Sequence, residues 1–187
     1  MGPCLAERKK IAARHGRLIL FVDESGLSER PCRVTTWSRR GITPVLRYQY
    51  TWSQLSVIAA VGRNRLYFAS RRGTYKAPAI ARFLHQLLRR TRRKLLVVWD
   101  RLQGHRSKLV ADLVRRARGR LELAFLPAYA PELNPTELVW AHLKNREVGN
   151  YCPATFKELA DLTRRRLKSM QRRPDLVNAF IRHTGLA

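Results

Sequence analysis

The chain has 187 residues, 45% of them hydrophobic, and carries 38 Lys and Arg against 13 Asp and Glu, a formal net charge of +25. That length holds one domain with a full core and falls short of two comfortable ones, and the apolar fraction excludes a disordered basic tail. No run approaches the roughly 20 apolar residues of a membrane-spanning helix, the N-terminus lacks the apolar core of a secretory signal, and Cys4, Cys32 and Cys152 are too scattered for a disulfide framework or a zinc cluster.

Residues 6–15 read as a short basic helix or lead-in, and Leu18–Val22 has the length and apolarity of a buried strand, ended by Gly26. Pro31–Pro44 is turn-rich and basic, mostly loop, with room for a short strand at Arg33–Trp37. Leu55–Val61 and Arg65–Ser70, separated by Gly62, Arg63 and Asn64, predict a hairpin. Pro78 opens a helix through Arg90, with Ile80, Phe83, Leu84, Leu87 and Leu88 on one face. Leu95–Trp99 is the next buried strand, His105–Arg118 a helix patterned by Leu109, Leu113 and Val114, and Leu121–Phe125 a short strand. After a proline-punctuated loop come a helix from Pro135 to about Arg146 and another from Ala154 to about Arg172. In the latter, Thr155 and Glu158 sit in capping-box positions, and Phe156, Leu159, Thr163, Leu167 and Met170 form an inner stripe. This order predicts an α/β domain: three antiparallel strands followed by two parallel ones, a mixed sheet flanked by helices.

Acids are scarce, so a carboxylate at the end of a buried strand calls for a physical reason, because an unpaired charge there is costly. Asp23 and Asp100 each end a run of five apolar residues. A turn or cap role competes with metal ligation for both. Glu24 competes with Asp23, since strand alternation sends only one of them to a given face, and Asp23 is preferred as the residue directly ending the run. Asp100 precedes a helix start at Gly104–Ser107, and ligand sites in open α/β sheets collect at the carboxyl ends of strands. Glu137 alone reads as a cap, with Asn134 as N-cap and Pro135 at the first helical position. Taken with the two aspartates the balance reverses. Three carboxylates packed together would repel, whereas two Mg²⁺ ions would neutralise them and could drive in-line displacement at a phosphodiester.

The basic clusters include Arg39–Arg40, Arg71–Arg72, Arg89–Arg90, Arg115–Arg116 and Arg164–Arg166. Each alone reads as a solvated face; their sum points to a polyanion, with nucleic acid favoured over an anionic membrane. Arg71, Arg72, Arg106 and Lys144 are candidate contacts. Among the aromatic residues, Trp37, Tyr48, Tyr50 and Trp52 read mainly as packing, while Tyr129, in the loop before Glu137, is a candidate for stacking on bases. His105 reads equally as a group orienting DNA or phosphate near Asp100 and as a capping or surface histidine. The chain is expected in the cytoplasm, associated with the nucleoid.

The segments VDESG (Val22–Gly26), WDRLQGHRS (Trp99–Ser107) and LPAYAPELNPTELVWAHLK (Leu126–Lys144) together resemble the three signature blocks of the DDE-type transposases, in particular the bacterial insertion-sequence branch of the mariner superfamily. The resemblance runs from Leu18 to Met170. It implies an RNase H-like catalytic domain over 18–175, between a basic lead-in (1–17) and a C-terminal tail (176–187). It further implies Asp23, Asp100 and Glu137 as catalytic acids holding two Mg²⁺ ions, for which Mn²⁺ can substitute. The implied reaction is cleavage of double-stranded DNA at element ends and joining of the freed 3′-hydroxyl to target DNA, by a homodimer when bound to DNA. Two departures stand out. Many relatives carry Asn where this chain has Arg101, a cation beside a metal ligand, which favours the alternative of a catalytically impaired, purely DNA-binding remnant. Family members also carry an N-terminal helix-turn-helix module, and about seventeen residues precede the first strand here, so the chain reads as a separately encoded second frame working with a separate helix-turn-helix subunit, as a truncated copy, or as an isolated catalytic fragment. Another nuclease of the same fold is a third candidate.

Overall fold

The computed structural model describes residues 5–48, 53–100, 102–127 and 130–185. Helix α1 (Leu5–Arg14) leads into β1 (Leu18–Ser28), the longest strand. A hairpin of β2 (Gln54–Gly62) and β3 (Arg65–Arg72) follows, then α2 (Ala77–Thr91), β4 (Leu95–Trp99), α3 (Lys108–Arg116) and β5 (Leu121–Phe125). Helices α4 (Pro135–His142), α5 (Phe156–Gln171) and α6 (Pro174–His183) complete the chain order. The strands form one sheet in the order β3-β2-β1-β4-β5, antiparallel across β3, β2 and β1 and parallel across β1, β4 and β5. The expected mixed sheet is therefore present.

Strand alternation divides the core between two faces. Leu20 and Val22 of β1, Leu95, Val97 and Trp99 of β4, and the predicted apolar face of α2 pack on one side. On the other, Phe21, Leu96, Val98 and Ala124 pack against Ala12 of α1, while Leu27, Val57, Ala59 and Val61 pack against α4, α5 and α6. Gly62 sits where β2 passes β1 so closely that a Cβ would lie 2.6 Å from the Ile19 carbonyl oxygen, so only glycine fits there. The hairpin turn is made by Arg63 and Asn64, the latter at φ 58° with its N–H donated to Asn178 Oδ1 of α6 (2.8 Å).

Several boundaries differ from the sequence reading. Gly26 does not end β1; the strand continues to Ser28, paired with β2 throughout. No strand forms at 33–37. Val34 instead donates its N–H to Asn150 Oδ1 (2.9 Å), and its carbonyl accepts from Asn150 Nδ2 (2.8 Å), so one side chain replaces a neighbouring strand. The helix expected from His105 begins as a 3₁₀ turn (Gln103–Arg106), and α3 starts only after Ser107, whose hydroxyl accepts from Val110 N–H (3.4 Å). Leu109 is exposed and Val110 is the buried residue, a one-position rotation of the expected face. Beyond α4 the chain takes a π-helical turn at Leu143–Glu147. The stretch expected as a tail from 176 holds most of α6, whose Val177 and Phe180 are buried in the core.

Candidate active site

Asp23 points to the α4 face of the sheet, as the odd-numbered alternation of Phe21 and Leu27 requires, and is only 8% exposed. Two contacts from α4 fix its surroundings. The fully buried Thr136 hydroxyl donates to the Phe21 carbonyl (3.0 Å), docking the start of the helix on β1. One turn further, Trp140 Nε1–H donates to Asp23 Oδ2 (3.0 Å). Asn134 caps the helix by accepting from Thr136 N–H (3.2 Å), and Pro135 takes the first helical position, which leaves Glu137 at the third. Glu137 is exposed, and its side chain makes no hydrogen bond or ion pair among the described residues. Its charge nevertheless reaches Asp23. Burial, then the neighbouring Glu137 carboxylate, push the Asp23 pKa from 3.8 up to about 7, against the pull of the Trp140 hydrogen bond.

Asp100 follows the last residue of β4. Phe21 and Val98 are the last pair of the parallel register, and Asp23 and Asp100 each lie two residues beyond it. The Asp100 carboxylate is held by donors that follow it in the chain. Its Oδ1 accepts from Leu102 N–H (3.1 Å) and lies 2.7 Å from His105 Nδ1. The other ring nitrogen, Nε2, is 3.1 Å from both oxygens of Glu24. The imidazole is 1% exposed and lies flat on Trp99, with ring centroids 4.1 Å apart and planes 4° from parallel. Burial opposes its charge, but the hydrogen bond and charge of Glu24 and the charge of Asp100 outweigh it, and the pKa is raised above 6.5. With both nitrogens turned to carboxylates, the ring is satisfied only as the imidazolium.

The structure thus brings Asp23 and Glu137 within electrostatic reach of each other and sets Asp100 just past the end of the adjacent strand. Among the described residues, no three His, Cys, Asp or Glu side chains stand in a ready-made ligand cluster.

The other predicted residues fall in different places. His105 is a core histidine, not a surface contact for DNA, because the 3₁₀ turn folds it inward onto Trp99. Arg106 is exposed. Arg71 and Arg72 are exposed at the end of β3, stacked over Tyr75 (5.9 Å) and Phe156 (5.0 Å) respectively. Lys144 is half-buried in the π-helical turn. Trp37 is 99% exposed and Tyr48 partly so. Tyr129, Tyr50, Trp52 and Arg101 lie outside the described residues. Sequence reasoning missed Thr136, Trp140 and the Glu24–His105 pair. For Trp140 the signal was available, since a residue three positions after Glu137 shares its helix face. For Glu24 it was not, because its partner is 81 residues away.

The DDE superfamily endonuclease family matches residues 18–160 of the chain. No curated protein matches the sequence. Among solved structures, the chain is similar to the Mos1 transposase paired-end complex with the left transposon end, at 16% identity and TM-score 0.67, covering 97% of this chain and 58% of that one. It is similar also to the mariner Mos1 paired-end complex with Mg, at 14% identity and TM-score 0.68, covering 99% and 61%. The catalytic domain of Mos1 mariner transposase gives 14% identity and TM-score 0.57, covering 97% and 88%. The chain therefore spans about three fifths of the Mos1 transposase chain and nearly all of its catalytic domain. At such identities the likeness concerns the fold, which is the RNase H-like fold of that catalytic domain. With the family match extending from β1 through the start of α5, the chain belongs to the DDE superfamily endonucleases.

Proposed function

We propose that the chain cuts double-stranded DNA at the ends of an insertion sequence of the bacterial mariner-related branch and joins the freed 3′ ends to target DNA. Asp23, Asp100 and Glu137 are the acids of that reaction. The observation that carries this reading is the buried Asp23, held by Trp140 and raised to a pKa near 7 by burial and by Glu137. Such a site is built of hard oxygen donors and is short of positive charge, which suits Mg²⁺ or Mn²⁺. The Mos1 complexes, one described with Mg and one with Mn, support the same choice. When two such ions are bound, the chemistry they supply is activation of an attacking oxygen and stabilisation of the leaving oxygen at a phosphodiester.

The chain's own residues supply position and charge. Trp140 holds Asp23 Oδ2 and so fixes the carboxylate on the α4 face of the sheet. Thr136 sets the start of α4 on β1, so Glu137 is delivered beside Asp23 by the helix itself. Arg71, Arg72, Arg106 and Lys144 would meet phosphates, and Tyr129 would stack beside the site. The paired-end DNA complexes of Mos1 support DNA as the partner, and synapsis by a homodimer with a separate helix-turn-helix subunit belongs to the same reading. The test is nicking of a DNA duplex carrying the element's ends, with Mn²⁺ or Mg²⁺ present. Metal-dependent cleavage and strand joining are expected, and Asp23→Ala, Asp100→Ala and Glu137→Ala should each abolish both. Salt-sensitive DNA binding without cleavage would leave only the role of a binding remnant.

A further inference from the structure

Glu24 and His105 lie on the opposite side of β1 from Asp23, and neither is among the acids assigned above. The histidine is gripped from every side. Trp99 covers one ring face, both Glu24 oxygens face Nε2 at 3.1 Å, and Asp100 presents Oδ1 to Nδ1 at 2.7 Å and its backbone carbonyl at 3.3 Å. At 1% exposure the ring offers almost no surface to DNA. A cleft of about 250 Å³, lined in part by Gln54, Tyr75 and Leu102, adjoins Glu24 and His105 without parting them. Asp100 Oδ1 therefore takes two donors, His105 Nδ1 and Leu102 N, while its Oδ2 has no hydrogen-bond partner among the described residues.

Resting on the function proposed above, we infer that Glu24 and His105 are positioning residues for Asp100: Glu24 fixes the imidazole through Nε2, and Nδ1 then holds Oδ1 so that Oδ2 is the oxygen offered to a metal ion. The order of the sequence makes the device compact. Asp23 and Glu24 are neighbours on one strand with opposite faces, so β1 supplies one acid directly and steadies a second through a histidine. Partners of this kind orient metal ligands, and their loss typically weakens metal affinity by about 10- to 100-fold.

The test uses Mn²⁺ alone, titrated into the metal-free full chain and followed by the paramagnetic resonance signal of the free ion. The two amide substitutions separate positioning from packing. In His105→Asn the short amide reaches the place of Nδ1 and keeps the bond to Asp100; in His105→Gln the longer amide reaches the place of Nε2 and loses it. His105→Gln and Glu24→Ala should weaken Mn²⁺ binding by about tenfold or more, and His105→Asn by no more than about threefold. A ring that matters only as filler on Trp99 predicts the reverse order, since Asn leaves the larger void, and affinity would follow melting temperature. That result, or wild-type affinity in His105→Gln, overturns the inference. Failure of the underlying reading looks different: wild-type Mn²⁺ binding would then be insensitive to Asp23→Ala and Asp100→Ala, which sinks both.

Discussion

Replacing Asp23 with Asn should make the metal-free protein more stable, and by an amount that depends on pH. The Asp23 carboxyl is 8% exposed and its pKa is raised from 3.8 to about 7, so between those values the folded state binds a proton that the unfolded chain releases. Stability therefore falls as pH rises from about 4 to about 7 and levels off above. At ~1.4 kcal/mol per pH unit, the rise corresponds to about 4 kcal/mol in the wild type above pH 7. Asn can still accept the Trp140 Nε1–H bond while carrying no charge, so the variant escapes this loss. Thermal melts in EDTA from pH 4 to pH 8.5 should show the two proteins together at the acid end and Asp23→Asn higher at pH 8 by about 10 °C, taking 2–4 °C per kcal/mol at this chain length. Mn²⁺ should then raise the wild type toward the variant and leave the variant unmoved. Coincident melting curves across the whole range would refute the premise that a buried, ionised Asp23 burdens the apoprotein.

Glu137→Gln removes the second cause of that raised pKa, so its acid-to-neutral loss of stability in EDTA should be smaller than the wild type's and centred at lower pH. Thr136→Val deletes a buried hydroxyl that donates to Phe21 and should cost about 1–3 kcal/mol in urea unfolding, with a fall in cleavage larger than that in DNA affinity because Glu137 loses its seat. If about 6–10 of the basic residues meet phosphates, DNA affinity should drop by about 10³- to 10⁵-fold between 50 and 200 mM salt, and Arg71→Ala with Arg72→Ala should lower the slope of log affinity against log salt by about 2. Leu84→Ala, at a fully buried position on α2, should destabilise by about 2–5 kcal/mol without changing the Mn²⁺ affinity of the protein that remains folded.

What the sequence disclosed and what it hid divide along the range of the interactions involved. Strands β4 and β5 and the buried face of α2 follow from local apolar pattern, and the structure has them at the expected residues. The capping set around Asn134 and Pro135 was readable because all its members lie within four residues. The strand expected at 33–37 failed for the opposite reason: its β-branched residues fit a sheet, but the hydrogen-bonding partner that decides the matter is Asn150, 116 positions away. His105 is the most instructive case. Its position soon after a strand-end aspartate read equally as a group orienting DNA or phosphate and as a capping or surface histidine, and only the 3₁₀ turn, which puts Ser107 rather than Gly104 at the start of α3, rotates it into the core.

The same distinction bears on how the site arose from so few acids. A buried carboxylate with only water or a lysine for company would be an expensive feature in a protein that must fold before it meets an ion. Here the three elements that carry acids are each secured by a neutral or backbone contact first: Thr136 on the Phe21 carbonyl, Trp140 on Asp23, and Leu102 N–H on Asp100. None of these contacts requires metal, so the scaffold can form with Asp23 protonated. Near neutral pH, arriving positive charge then favours the ionised form of Asp23. A site arranged in this way can fold with its one deeply buried acid neutral, its acids being placed by the partners around them and not by one another.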